Sequence, residues 1–398
     1  MAAADDTSGT GGPDSLFGGD ARAGAAARVT GVLPAQDIRA LIRGREIIGV
    51  AEIGEDQIQP ASLDLRLGRV AYRVRASFLP GPDATVRDRL DCFGMHEIDL
   101  AAGAVLEKGC VYIVPLMESV ALKSRVSALA NPKSSIGRLD VFTRLITDRS
   151  AVFDQVAAGY KGPLYAEISP RTFSVVVHQG SRLNQLRLQR GNPPASDTAL
   201  RRLHQATPLV AAATGDGGAA ADIDQGIAVT VDLAGAGDGR GGPVGWRARR
   251  HTDLIDLARV DHYRPEDFWE PVAADDAATL ILNPGDFYIL ASREAVAVPP
   301  DHAAEMRPYD TRVGEFRVHY AGFFDPGFGY AGSGGAGSRA VLEIRTFEVP
   351  FALRDGQLVG RLVYERLAAV PDKLYGAAIG SSYQRQGLML AKQFRRMV

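Results

Sequence analysis

The chain contains two copies of one pattern. GCVYIVPLMESVAL, beginning at Gly109, returns as GDFYILASREAVAV beginning at Gly285, with glycine, Tyr-Ile, glutamate and Val-Ala aligned at a single offset of 176 residues. The same offset aligns Glu167 in LYAEIS with Glu343 in VLEIRT, and Gly180 with Gly356. Alternation common to any two β-rich segments would not fix glycines and a glutamate at one spacing, so the register from Gly109 to Gly180 reads as an internal duplication. Upstream, SLDLRLGRVAYRVRA lies on TVDLAGAGDGRGGPVGWRARR if the second copy carries an insertion in its turn. Two units must then each bury a core, and 398 residues are enough for both.

Within the units the apolar period is two. SLDLRLG, VAYRVRA, CVYIVPL and NQLRLQR are separated by Gly, Pro, Asp and Asn turns, the pattern of an all-β sandwich or barrel. LPAQDIRALIRG, Leu33 to Gly44, instead shows helical spacing and ends on glycine, which predicts a short helix. Residues 1–28 are rich in Ala, Gly, Ser and Asp without a basic start or an apolar run, so they read as a disordered tail rather than a signal peptide. The expected organisation is a first copy over 29–190, a linker over 191–215 and a second copy over 216–398 ending in a polar lid. The linker falls in low-complexity sequence that runs on to about Gly242 and includes one strand-like run, IAVTVDL.

Forty-five basic against 47 acidic residues give a net charge of −2, which supplies no bulk attraction to nucleic acid or anionic lipid. No apolar run reaches the roughly 18–20 residues that cross a bilayer. Cys92 and Cys110 cannot build a disulfide framework or a zinc site by themselves, and two free thiols suit a reducing cytoplasm. The zinc signature of most base deaminases, HxE with PCxxC, is missing: MHEID at Met95 has no CxxC partner.

Four places carry residues suited to chemistry. In NPKSSIGR, Asn131 to Arg138, the hydroxyls of Ser134 and Ser135 and the cations Lys133 and Arg138 can cradle phosphate, although such a run also suits a solvated turn. Glu167 and Glu343 each interrupt an apolar strand; on a pocket face such a carboxyl is desolvated and moves protons near neutrality, and on the other face it is solvated. FFDPGFG, ending at Gly329, is loosely matched by FDQVAAGYKG in the first copy, and Asp325 there can accept a ribose hydroxyl or serve only the turn. The tail SSYQRQG, Ser381 to Gly387, holds Tyr383 and Gln386 between glycines and reads as a lid or a frayed end.

Taken in order, these motifs resemble the dCTP deaminase branch of the dUTPase superfamily. PASLDLRLG (Pro60 to Gly68) is similar to that family's early PxSxDLRLG strand, KSSIGR to its RSSxxR loop with Lys133 for the leading arginine, and FFDPGFG, VLEIRT, FALRDGQLVGRLVYE and SSYQRQG to its later motifs. The resemblance implies two tandem dUTPase-like barrels of the β-clip or jelly-roll kind, mainly β with few short helices. It also implies zinc-independent hydrolysis of dCTP to dUTP and ammonia, feeding dUMP and dTTP synthesis, with Mg²⁺ arriving on the triphosphate. The matching carboxylates, Glu343 and Glu167, take the general base role; Ser135 and Arg138 position the water; Lys133, Ser134, Arg312, Asp325, Tyr383 and Gln386 hold the nucleotide. A trimer-like assembly of domains in a homo-oligomer is implied as well.

The departures from the family pattern are complementary. The second copy reads RPYDTR where the serines belong, and the first reads FDQVAAGYKG where Asp-Pro-Gly belongs. Ser382 replaces the tail's lysine. A composite site follows as the expectation, with KSSIGR of one copy facing Glu343 and the tail of the other, and with fewer sites than domains. A dUTPase or a bifunctional deaminase and dUTPase stays open because Asp325 and Asp154 are present, and a non-catalytic nucleotide sensor stays open because both copies have lost motifs.

Overall fold

The computed structural model describes residues 30–212, 221–234, 243–307, 317–318, 322–333, 335–346, 348–376 and 387–396. The expected disordered tail lies outside them, as do Arg312, Ser382, Tyr383 and Gln386. Among the described residues no helix is long and apolar enough to cross a membrane.

Each copy contributes two antiparallel sheets. In the first, one sheet runs Gly94–Asp99, Val70–Val74, Val111–Ala121, Lys161–Pro170 and Val141–Thr147, with Ile47–Gly49 also on Val111–Ala121. The other runs Gly31–Val32, Arg182–Arg190, Val126–Pro132 and Gln155–Val156, with Leu63–Arg66 also on Arg182–Arg190. The second copy repeats this plan: Trp269–Val272, Gly245–Ala248, Phe287–Val296, Ser338–Arg345 and Arg317–Val318 form one sheet, and Ile227–Thr230, Leu358–Arg366, His302–Arg307 and Phe323–Phe324 the other. The architecture is mainly β, as the alternation requires.

Strand pairing sharpens the duplication. Glu167 stands opposite Ile113 and Glu343 opposite Ile289, so the two glutamates are equivalent in three dimensions. Leu63 pairs with Leu186 and Ile227 with Leu362, which makes Ile227 the counterpart of Leu63. The sequence alignment had put Val231 there, four residues late; a slip by an even number preserves the inward face, so alternation alone could not detect it. A pair of side chains confirms the corrected register. Glu118 accepts the Arg66 amide at 2.8 Å, and its equivalent Glu294 accepts the Thr230 amide at 2.8 Å.

The stretch expected to be a linker is instead the start of the second copy. Asp197–Ala206 is a helix because Ser196 accepts the Ala199 amide at 3.3 Å and strong helix formers follow. Val210–Ala212 then pairs with Phe287–Val296 as Ile47–Gly49 pairs with Val111–Ala121. The pair of elements therefore matches the helix Ala35–Arg43 and its strand in the first copy.

The copies share buried surface. In Phe287–Val296 the period of two sends Tyr288 and Leu290 into the core of the second copy, and Phe287 and Ile289 into that of the first. Fully burying each such side chain is worth roughly 1.5–3 kcal/mol, so this strand ties the copies together. Val175–Val177 of the first copy also pairs in parallel with Ile255–Asp256 of the second.

Candidate active site

Glu343 sits on the strand Ser338–Arg345, where Ala340, Leu342 and Ile344 fill the second core and the alternate face turns to the first copy. On that face Val341 packs against the first core, and Arg345 reaches the fully buried Asp140 and the Thr172 hydroxyl, the latter at 2.7 Å. Glu343 itself is buried, and burial pushes its carboxyl up to about 8; the Arg138 guanidinium opposes this and Asp140 adds to it. Arg138 comes from the first copy, at the end of the short turn Ser134–Gly137. It is buried too, and donates to the Met389 carbonyl at 3.0 Å and more loosely to that of Leu390 at 3.5 Å.

The remaining loop residues divide. Ser134 is exposed, whereas Ser135 is buried and lines a cavity of about 390 Å³ with Lys133. Lys133 Nζ lies 2.5 Å from Asp64 of the PASLDLRLG strand. Asp325, in its Asp-Pro-Gly turn, is pushed up to about 6 by burial, with Arg187 and Lys133 drawing it down and Asp64 raising it. The Asp325, Lys133 and Asp64 side chains therefore feel one another.

Arg187 was not anticipated. In NQLRLQR the leucines claim the core, and alternation assigns an intervening arginine to a solvated face. Here that face is covered by the second copy. Arg187 is fully buried, lies 3.1 Å from Glu365 and 3.5 Å from Asp325, donates to the Ala304 carbonyl at 3.0 Å, and stands 3.9 Å over the Phe323 ring. It ties Asp325 and the strands beside it to the first copy.

The Glu167 surroundings differ. Its carboxylate accepts the Ser77 hydroxyl at 2.7 Å, and burial raises its pKa. Ile113 and Tyr165 on its face belong to an apolar cluster with Phe78, Val86 and Leu90, the last two from the helix Val86–Phe93. Asp154, at a left-handed φ of 61°, accepts the Leu145 amide at 2.7 Å and pairs with Arg144 at 3.0 Å. It is not the counterpart of Asp325. Val156 opposes Ala128 as Phe324 opposes Ala304, so Asp154 precedes the short strand and Asp325 follows it. The loose match of FDQVAAGYKG to FFDPGFG thus paired two aspartates with different places in the fold.

Comparison with known proteins agrees with this layout. The family model for the 2′-deoxycytidine 5′-triphosphate deaminase (DCD) N-terminal domain matches residues 29–192, and that for the C-terminal domain of the same family matches 196–394. A crystal structure of 2′-deoxycytidine 5′-triphosphate deaminase from Agrobacterium tumefaciens is 56% identical, with a TM-score of 0.80 over 85% of this chain and 100% of that one. Curated relatives include proteins named dCTP deaminase, dUMP-forming, from Halobacterium salinarum, 33% identical over 140 residues, and from Parafrankia sp., 32% over 136. These matches take in 34% and 32% of this chain, which spans 65% and 64% of the two relatives.

Proposed function

Since the chain belongs to the 2′-deoxycytidine 5′-triphosphate deaminase family, we propose that it hydrolyses the C4 amino group of dCTP to give dUTP and ammonia. The observation that carries this reading is the buried Glu343, whose proton affinity lies near neutrality beside a buried guanidinium from the other copy. In the proposed reaction Glu343 takes a proton from water as the oxygen adds to C4, and returns it to the nitrogen that leaves. Arg138, anchored on the Met389 carbonyl, keeps Glu343 ionisable and fixes that water with Ser135. Asp325 takes the ribose hydroxyl, and Lys133 and Ser134 take the phosphates.

The water is activated by a carboxylate in this scheme, without zinc, and Mg²⁺ enters on the triphosphate, held mainly by its oxygens. Ammonia release from dCTP, with Glu343→Gln as the control, tests it: unchanged turnover in that variant removes Glu343 from the reaction. A second reading is favoured by the names of the relatives, which are dUMP-forming. If the chain also cleaves between the α and β phosphates, pyrophosphate appears with the ammonia and dUMP accumulates; if it only deaminates, dUTP accumulates.

A further inference from the structure

The cavity of about 390 Å³ beside Lys133 is closed in part by elements outside the motifs that pointed to the site. Besides Lys133 and Ser135 it is lined by the turn His178–Leu183, by Leu257–Ala258, and by Lys392 and Gln393 after the tail. Three cations, Lys133, Arg182 and Lys392, face one lining carboxylate, Asp64. Asp64 is engaged by Lys133 at 2.5 Å, and Arg182 is held by Asp56 at 2.6 Å. Lys392 has no carboxylate partner among the described residues, although burial and the nearby Lys133 both draw its pKa down. The carboxylate that acts on this half-buried ammonium, Asp64, is already paired with Lys133, so three cations share one lining carboxylate and an anion entering the cavity offsets the excess positive charge.

The position of the cavity says which part of a ligand it meets. Asp325 feels both Asp64 and Lys133, and those two residues line the cavity, so the space lies near the proposed sugar contact. A group carrying several anionic oxygens fits these donors; a base does not. We propose that Lys392, with Arg182 and Lys133, seats the terminal phosphates of the nucleotide, making the segment after the tail part of the binding site. The assignment rests on the deaminase reading for the identity of the nucleotide, but the anion site stands on the cavity itself.

Titration calorimetry of the full chain with inorganic tripolyphosphate tests the site directly. The wild type is expected to bind, and Lys392→Met to bind about ten- to a hundredfold more weakly, the range for losing one charge-assisted hydrogen bond, with Lys392→Arg restoring most of the affinity. The KM for dCTP rises in the same variant by more than kcat falls. Should Lys392→Met fail to fold, Lys392→Gln carries the same comparison. No tripolyphosphate binding by wild type, or equal binding by the neutral variants, overturns the proposal. Lysine-dependent binding with no ammonia released from dCTP by any form upholds the anion site and removes the deaminase reading, so the two fail separately.

Discussion

The buried Arg138 guanidinium of the first copy acts on the buried Glu343 of the second, holding down a carboxyl that burial alone would push higher still. Neither copy owns this pair. The first supplies the cation just after the Ser134–Gly137 turn, and the second supplies the acid on the strand Ser338–Arg345. Glu343→Gln should therefore lower kcat for ammonia release on the order of 10²–10⁴-fold, the usual contribution of a general base, while dCTP still binds. Glu167→Gln, whose carboxyl is engaged by Ser77 inside the first copy, should leave turnover close to wild type. Steady-state ammonia assays on both variants decide between the two glutamates.

The same pair sets a pH profile. With the folded carboxyl at about 8, the ionised base is scarce below that pH, so kcat/KM should rise with pH and level off above about 8. Arg138→Met removes the opposing charge and should move this limb upward, a change that a purely structural role would not produce. Stability runs the other way. Glu343 binds its proton more tightly folded than unfolded, so between its ordinary value of 4.5 and about 8 the folded state holds the extra proton and stability falls as pH rises. Melting temperatures across that window should fall less steeply in Glu343→Gln.

How much of this was legible in the sequence depended on the range of each interaction. Glu343 stood out because it breaks an apolar run and recurs at the repeat offset as Glu167. The complementary motif losses also put the KSSIGR loop, and with it Arg138, opposite Glu343; Asp140 was missed, because its charge acts on Glu343 from the other copy and no local period reports an interaction of that kind. Arg187 was hidden for the same reason: alternation tells which face a residue takes, not whether a second domain covers it. The misplacement of Val231 for Ile227 and of Asp154 for Asp325 arose where the only local guide was a two-residue period or a shared Phe-Asp, and strand pairing was needed to choose. The helix Asp197–Ala206 lay between low-complexity runs, and its Ser196 cap was the signal that could have revealed it.

Arg187 offers a stability test. It compensates Glu365 and Asp325, both raised by burial, in a fully enclosed setting. Arg187→Leu leaves two buried carboxyls without their cation and should cost about 3–5 kcal/mol in denaturant unfolding near pH 8. Both acids carry folded pKa values above their unfolded ones, and losing Arg187 raises them further. Below the unfolded values both states are protonated and the penalty vanishes; it grows as pH climbs toward the folded values. The deficit should therefore be smaller at pH 5 than at pH 8, and a pH-independent deficit would point to lost packing on Phe323 instead.

The surroundings of Glu167 also predict how many nucleotides the chain holds. Ser77 already fills a hydrogen-bonding position on that carboxylate, and Phe78, Val86 and Leu90 close the face that in the second copy meets Arg138 and Asp140. Asp154 is committed to the Leu145 amide and to Arg144 and is not open to a sugar hydroxyl. A base entering there would have to displace the helix Val86–Phe93 and its apolar contacts, each large side chain worth roughly 1.5–3 kcal/mol of burial. Calorimetric titration of Glu343→Gln with dCTP, where turnover does not consume the ligand, should accordingly saturate at one nucleotide per chain. Saturation at two would mean that the first copy opens in solution, and Ser77→Ala should then strengthen the second event.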